Sequence, residues 1–315
     1  MMERMQKSLN RTPLQYPVLQ KLRHWRQNLG LPLWGELSLA SLFVAILSGV
    51  LLAIHYDPGP GAFSSVVKIN ETIPFGFFIR GVHYYSAEIF VIATIVHTLD
   101  HFWRRSFIRY PLGMWMMISL LLPLAFWADF TGFILPGNLE GRFAGEIMHH
   151  LAGSIPVIGQ TFANILIQVD QPGHFFRLPY LHHVVTITLA LIFLTQVHIQ
   201  RLTPFRSALL WTLILCIVPA TLHTVSVGIP PNGVADPVKG PWYFLGLQEL
   251  LSHAAPFWAG VVAPAALLAL FLSLPALPYK WVKSVEVVLW LGLAVYVVLT
   301  CIAAFFRGPG WAWTF

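Results

Sequence analysis

Apolar residues dominate seven stretches of the chain, each separated from the next by a shorter or more polar segment. Each stretch is close to the ~20 residues that an α-helix needs to cross the hydrocarbon core of a bilayer. The pattern therefore predicts an all-α, polytopic transmembrane helix bundle with seven spans, near residues 34–54, 80–103, 113–135, 182–200, 207–228, 257–277 and 285–306.

Two of the segments between the predicted spans are long. Residues 136–181 are apolar but interrupted by Gly and Pro, and both of their ends must lie on the same side of the membrane. We therefore expect short helices in the membrane interface there, rather than an extra crossing. Residues 229–256 begin with a Pro- and Gly-rich loop, after which PWYFLGLQELL opens a helix with Pro241 in its first turn.

The composition agrees with a membrane protein and excludes a separate soluble domain. Of the 315 residues, 57% are hydrophobic and 10% are charged, whereas soluble domains carry about 25% charged residues. The two cysteines, Cys216 and Cys301, lie within apolar runs and are typical of small buried hydrophobic residues. Because the sequence has no CxxC pair, neither a thiolate metal site nor a CxxCH haem attachment is available.

The net charge of +6 is explained by membrane topology rather than by nucleic-acid binding. Basic residues concentrate on the cytoplasmic side of membrane proteins. When seven spans are threaded, thirteen of the 19 Lys and Arg residues fall on the side of the N-terminal arm and six fall on the other side. The N-terminus is therefore predicted to be cytoplasmic and the C-terminus to lie outside.

Four histidines recur at matched intervals in the second and fourth predicted spans. His83 and His97 are fourteen residues apart, which places them on one face of a helix and about 21 Å apart along its axis. His183 and His198 are fifteen residues apart, about 60° past four full turns, whereas His182 and His198 would lie on nearly opposite faces. Helical geometry therefore favours His183 over His182.

These two spans run through the membrane in the same sense, so His83 is predicted to pair with His183 near the outer face and His97 with His198 near the inner face. The sequence separations of 100 and 101 residues fit two matched layers. Two facing imidazoles in an apolar helical bundle are typical ligands of b-type haem. A lone intramembrane histidine is more often a hydrogen-bonded group or a proton relay, and zinc would need further ligands that do not lie nearby in sequence.

Other residues suit a haem between helices. Gly35 and Gly49 in the first span repeat the fourteen-residue interval, and small residues leave room between helices, although such glycines also serve helix packing alone. Arg80 and Arg177 precede the outer histidines. They are predicted to pair with haem propionates, with a purely interfacial role as the alternative.

Over almost its whole length the chain resembles the cytochrome b of respiratory and photosynthetic cytochrome bc complexes. The resemblance rests on Gly35 and Gly49 and on motifs that follow in order: RGVHYYSA with His97, TGFILP, SIPVIG, RLPYLHH with His198, GPWYF and FRGPGW. It implies a four-helix dihaem domain over residues 1–205 and a three-helix quinol-site domain over residues 206–315, as in the photosynthetic form fused to its small subunit. It also implies that Gly132 contacts a haem, although Ile118 stands where a second glycine is usual.

The resemblance also implies a function. In that family two b haems transfer electrons across the membrane. Quinol is oxidised on the outer side, between the 136–181 loop and the loop that carries GPWYF. Rieske-type iron–sulfur or cytochrome c subunits, a homodimer and a bacterial inner membrane are then expected. Pro241 stands where the family carries the PEWY glutamate, and variants without that glutamate are associated with menaquinone, so menaquinol is the expected substrate.

Two residues follow as candidates for the outer quinol site. Tyr243 belongs to GPWYF, and Glu249 lies eight residues after Pro241 in the same predicted helix. A buried carboxylate there would have a raised pKa and could accept a proton near neutral pH. Glu249 is therefore predicted to replace the missing glutamate, with a solvated residue on the outer helix as the alternative.

The sequence leaves three choices open. Arg177 precedes His182 by five residues, as in the family pattern, so His182 stays an alternative outer ligand. A dihaem membrane anchor of another quinone-linked dehydrogenase or reductase is a second possible function, and GPWYF argues against it because a simple anchor does not need that segment. A transporter with histidine proton relays is a third, and a haem spectrum would separate it from the other two.

We expect the N-terminal arm to be protected from a protease added outside the cell, because its basic residues hold it in the cytoplasm. In inverted vesicles the same protease should remove the arm. An epitope tag inserted in the 229–240 loop should show the opposite accessibility and serves as the control. Cleavage of the arm in intact cells or right-side-out vesicles would contradict the predicted orientation.

Overall fold

The computed structural model describes residues 31–171, 173–199 and 206–314, and the basic N-terminal arm lies outside them. Within these ranges the chain is helical, and an isolated bridge between Arg307 and Trp313 is the only β pairing. The helices are α1 Trp34–Ala53, α2 Ala62–Glu71, α3 Gly76–Trp103, α4 Leu112–Ser119, α5 Leu121–Ile134, α6 Leu139–Gly153, α7 Gly159–Leu166, α8 Arg177–Leu181, α9 Thr188–His198, α10 Arg206–Leu222, α11 Leu245–Leu251, α12 Ala263–Ser273 and α13 Tyr279–Phe305.

Six continuous helical segments among the described residues are long and apolar enough to cross a membrane. They are Trp34–Ala53, Gly76–Trp103, Leu112–Ile134, Arg177–His198, Phe257–Ala276 and Tyr279–Phe305. Each coincides with one of the predicted spans, so the prediction of an all-α transmembrane bundle is confirmed. The remaining predicted span corresponds to α10, which is apolar but has only 17 residues, so the count of seven stays a prediction.

Helix α10 ends six residues before the predicted end of its span, at residue 228. The helix stops at Leu222 and the chain continues without regular secondary structure, whereas the apolar run continues to residue 228. The guanidinium of Arg80 in α3 donates hydrogen bonds to the backbone oxygens of Val225 and Ser226, at 2.7 and 2.8 Å. These carbonyls are therefore bound by a side chain of another helix instead of continuing α10.

Four spans surround a common core: α1, α3, the pair α4–α5, and the pair α8–α9. A buried cluster draws residues from each of them and from the short turn Trp242–Phe244, and it comprises Leu42, Phe90, Val91, Ala125, Ile187, Leu191 and Tyr243. Phe90 is seven residues from both His83 and His97 along α3. The cluster therefore forms an apolar layer midway between the two histidine positions.

The two long loops contain short helices, as the sequence pattern predicts. Residues 136–181 include α6 and α7, and the side chain of Asn138 caps α6 by accepting a hydrogen bond from the Gly141 amide at 2.9 Å. Residues 229–256 contain α11, directly after the turn that carries Tyr243. The position of α6 and α7 at the membrane surface stays a prediction.

Close packing against α13 holds α11 and the preceding turn in place. A Cβ atom at Gly246 would lie 2.6 Å from the Thr300 hydroxyl oxygen and 2.9 Å from the Tyr296 carbonyl oxygen. The Tyr296 hydroxyl in turn donates to the backbone oxygen of Tyr243 at 2.5 Å. Only glycine permits this approach, so Gly246 determines how deeply Tyr243 enters the core.

We expect Gly246→Leu to displace α11 from α13 and to lower the free energy of unfolding by about 1–3 kcal/mol, the usual cost of an overpacked contact. Thermal unfolding of the purified protein, followed by circular dichroism, measures the effect. Gly113→Leu is the matched control because a Cβ atom at Gly113 meets nothing within 4 Å. Equal stability of the two variants would show that the α11–α13 contact does not need glycine.

Candidate functional site

His83 in α3 and His183, which follows α8, face each other across the bundle, with ring centroids 6.1 Å apart. We call them the outer pair, after the predicted orientation. The Nδ1 atom of His83 lies 2.9 Å from the Ala45 carbonyl oxygen in α1, and Nδ1 of His183 lies 2.8 Å from the Ala128 carbonyl oxygen in α5. A carbonyl only accepts hydrogen bonds, so each Nδ1 is the protonated nitrogen. Each Nε2 therefore keeps its lone pair for a metal.

Glycines make these contacts possible. A Cβ atom at Gly49 would lie 2.9 Å from Cε1 of His83, and one at Gly132 would lie 2.9 Å from Cε1 of His183. Contacts this short require an atom to move, so any larger residue would displace the ring. The predicted glycines therefore lie against the predicted histidines in the outer pair.

His97 and His198 form a second pair, which we call the inner pair, with ring centroids 5.9 Å apart. A Cβ atom at Gly35 would lie 2.9 Å from Cε1 of His97, so the inner pair repeats the glycine contact on the α1 side. Ile118 is on the α4 side, and with Gly35, His97 and His198 it lines a cavity of ≈ 270 Å³.

Both pairs fit a bis-imidazole haem. A bond from an imidazole nitrogen to a transition metal is about 2 Å long, so two ligating nitrogens lie about 4 Å apart. The centre of each ring lies behind its ligating nitrogen, so the two ring centres must be more than 4 Å apart. The observed separations of 6.1 and 5.9 Å agree with this geometry. Over the described parts of the chain, no group of three or more His, Cys, Asp or Glu side chains is arranged to hold a metal ion.

His182 points away from the outer pair. Its Nε2 atom lies 3.0 Å from the backbone oxygen of Ile165 in α7, whereas the neighbouring His183 faces His83. The chain forms a π-helical turn over His182–Ile187, which is wider than an α-helical turn. This turn accommodates the extra residue between His183 and His198 and keeps both rings on one face.

Comparison with known proteins identifies the family. The model of the family "Cytochrome b/b6/petB" matches residues 30–203, which is more than half of the chain and includes all four paired histidines. The chain belongs to the cytochrome b family. It is therefore a haem-binding membrane protein of electron transport, as its sequence motifs predict.

Individual relatives agree with the family match. The cytochrome b of Chondrus crispus is 25% identical over 81% of this chain and 74% of its own length, and that of Oryza sativa subsp. japonica is 27% identical over 86% and 75%. A solved structure titled "Hyperthermophilic respiratory Complex III" matches with a TM-score of 0.63 at 18% identity, over 86% of this chain and 88% of that chain. The structural match shows that the two chains share the fold.

The two arginines that were predicted to meet haem propionates lie in different surroundings in this cytochrome b. Arg80 binds the Val225 and Ser226 carbonyls and also donates to the Asn70 side chain at 3.1 Å. This network ties α3 to the segment after α10, which the sequence did not suggest. Arg177 is exposed at the first residue of α8. Contact of either arginine with a propionate stays a prediction.

Tyr243 lies where the GPWYF segment enters the core. Its side chain is 4% exposed and packs against Phe126 in α5, with ring centroids 5.5 Å apart. Its hydroxyl oxygen has no hydrogen-bond partner among the described residues. This cytochrome b therefore holds a buried, unpaired hydroxyl at the predicted outer quinol site.

The raised pKa predicted for Glu249 is wrong, and its role as a base for quinol stays a prediction. Its carboxylate is 1% exposed and accepts hydrogen bonds from Arg307 and Trp311, at 2.5 to 3.2 Å, and lies 2.9 Å from His253 Nε2. The bonds from Arg307 outweigh the effect of burial and lower the pKa of Glu249. A carboxylate held in this way stays ionised and joins α11 to the C-terminal tail.

We expect Glu249→Gln to destabilise the protein at neutral pH, because it leaves the Arg307 guanidinium buried without its counter-ion. The pKa of Glu249 is lower in the folded than in the unfolded chain, where it is about 4.3. Its stabilising contribution is therefore complete above that pH and is lost as the pH falls through the folded-state pKa. The difference in thermal midpoint between wild type and variant should shrink below about pH 4.

Glu71→Gln, at an exposed position of α2, is the matched control and should show no such difference. The pH dependence of quinol oxidation should keep its shape in Glu249→Gln. Loss of that pH dependence would contradict the structural role and restore the predicted base.

Proposed function

We propose that this cytochrome b carries two b haems, oxidises quinol on the outer side of a bacterial inner membrane, and passes electrons across the membrane between them. The observation that carries the proposal is the pair of histidine layers, each with facing rings near 6 Å apart and a glycine against the ring. Haem b supplies one-electron transfer at each layer.

The chain's own residues hold and separate the two groups. His83 and His183 would bind the outer iron through Nε2, and His97 and His198 would bind the inner iron. Backbone carbonyls fix the tautomer of the outer rings. The apolar layer around Phe90 excludes water between the pairs, which keeps the charge on each haem in a medium of low dielectric constant.

The substrate is proposed to be menaquinol, bound at the outer side where the Trp242–Phe244 turn meets α5. Pro241 supports this choice, because it removes the PEWY glutamate of the family. The acceptor of the first electron would be a Rieske-type iron–sulfur or cytochrome c subunit, in a complex built on a homodimer. The division into a dihaem domain (1–205) and a quinol-site domain (206–315) belongs to the same proposal.

We expect His183→Ala to lose the outer haem and keep the inner one, because His183 faces His83 in the outer pair. The haem-to-protein ratio of the purified variant should fall to about half of the wild-type value, and a redox titration should show a single b-type transition.

His182→Ala is the matched control and should keep both haems, because His182 faces Ile165 instead. Loss of one haem in His182→Ala with both haems retained in His183→Ala would reverse the ligand assignment. Absence of haem from the wild-type protein would contradict the proposed function itself.

A further inference from the structure

Two half-buried carboxylates lie on helices of the bundle, close to the outer pair. Glu88 is in α3, five residues from His83 toward His97, and Asp129 is in α5, three residues before Gly132. Both positions lie about 4–8 Å along their helices from the outer layer, toward the membrane centre. Ionisable side chains at membrane depth are costly, and by default they mark a proton or ion pathway.

The GPWYF segment lies against these two carboxylates. The indole nitrogen of Trp242 donates a hydrogen bond to Glu88 Oε2 at 2.9 Å. The side chain of Asp129 lies beside the Tyr243 hydroxyl, yet the two do not form a hydrogen bond of normal geometry. The segment that the family uses for quinol oxidation therefore touches one carboxylate and approaches the other.

The Tyr243 hydroxyl is available as a donor. Burial, followed by the nearby charges of Asp129 and Glu88, raises the pKa of Tyr243, so its hydroxyl stays protonated. The Tyr296 hydroxyl holds the Tyr243 backbone, and Phe126 packs on its ring, so the side chain is fixed in place. The acceptor nearest to the Tyr243 hydroxyl is the Asp129 carboxylate, so a bound quinol oxygen would accept the hydrogen bond in its place.

Tyr243 and Asp129 together present one donor and one acceptor side by side. A quinol hydroxyl has the same two capacities, since its oxygen accepts a hydrogen bond and its O–H donates one. We propose that Asp129 accepts the proton of a quinol whose hydroxyl oxygen is held by Tyr243, and that Glu88 receives the proton next. This inference rests on the proposed function and assigns the role of the missing glutamate to α3 and α5 instead of α11.

The step balances as a proton transfer coupled to oxidation. Two protons and two electrons leave the quinol. The proton of the hydroxyl held by Tyr243 goes to a carboxylate oxygen of Asp129, the proton of the second hydroxyl goes to water, and the electrons leave singly. One goes to a one-electron iron–sulfur or cytochrome acceptor outside this chain, and the other goes to the outer haem. Glu88 is the end of the route nearer the surface of the chain, because Tyr84 and Trp242 beside it are both more than 40% exposed.

The test measures quinol-driven reduction of the b haems in the whole complex at several pH values. We expect Asp129→Asn to slow this reduction by about 10²-fold or more, the usual contribution of a positioned base, and to remove its pH dependence. Asp129→Glu should restore the pH dependence, whereas Glu71→Gln should match the wild type. The titratable groups that face Asp129 are Glu88 and Tyr243, and Tyr84 lies beside Glu88.

A second readout does not depend on turnover. The reduced-minus-oxidised infrared spectrum should contain a protonated-carboxyl band that shifts in heavy water and disappears in Asp129→Asn. Retention of both haem spectra in that variant shows that the fold is intact. If the haems are retained and both the reduction rate and the infrared band are unchanged, this inference is overturned while the proposed function stands. If the wild-type haems are not reduced by quinol at all, the proposed function fails first.

Discussion

The contact between each outer histidine and the helix that faces it sets the geometry on which the rest of the bundle depends. The carbonyl of Ala45 lies one turn before Gly49 in α1, and the carbonyl of Ala128 lies one turn before Gly132 in α5. Each carbonyl oxygen has two lone pairs, and the helix uses one of them. Because the residue four positions later is glycine, no side chain covers the second lone pair. The histidine ring can therefore reach it at 2.8 to 2.9 Å.

The interval between the two histidines differs by one residue between the two spans that carry them. His83 and His97 are separated by fourteen residues in a regular helix, whereas His183 and His198 are separated by fifteen. The π-helical turn at His182–Ile187 accommodates one more residue, and the Thr188 hydroxyl bonds to the His183 carbonyl at 2.6 Å within it. In a regular helix the fifteen residues from His183 to His198 would end about 60° past four full turns, whereas the fourteen from His83 to His97 end about 40° short of them. The irregularity therefore restores the match between the layers.

The spans, the histidine pairs and their glycines could be predicted because their signals repeat locally along the sequence. The partners of Arg80 and Glu249 could not be predicted in this way. Arg80 binds carbonyls 145 and 146 positions away, and Glu249 pairs with Arg307 across 58 positions. One signal was present for the second case, since Glu249 and Arg307 are opposite charges in otherwise apolar surroundings, where a buried charge needs a partner. The pairing follows from that rule only once both residues are known to be buried.

The two histidine layers resemble each other in their ligands and differ in what surrounds them. Glycines contact both outer rings, whereas at the inner pair Gly35 contacts His97 and Ile118 takes the place of the second glycine. The inner pair opens into a cavity that His101 also lines, with its ring 4.5 Å from that of His97. Beside the outer pair, Tyr243 enters the apolar layer and brings its hydroxyl to Asp129. A four-helix core with two similar histidine layers has two similar ends. The turn that carries Tyr243 makes these ends different, because it meets Asp129 and Glu88 beside the outer pair, whereas a cavity that Glu36 and His101 line lies beside the inner pair.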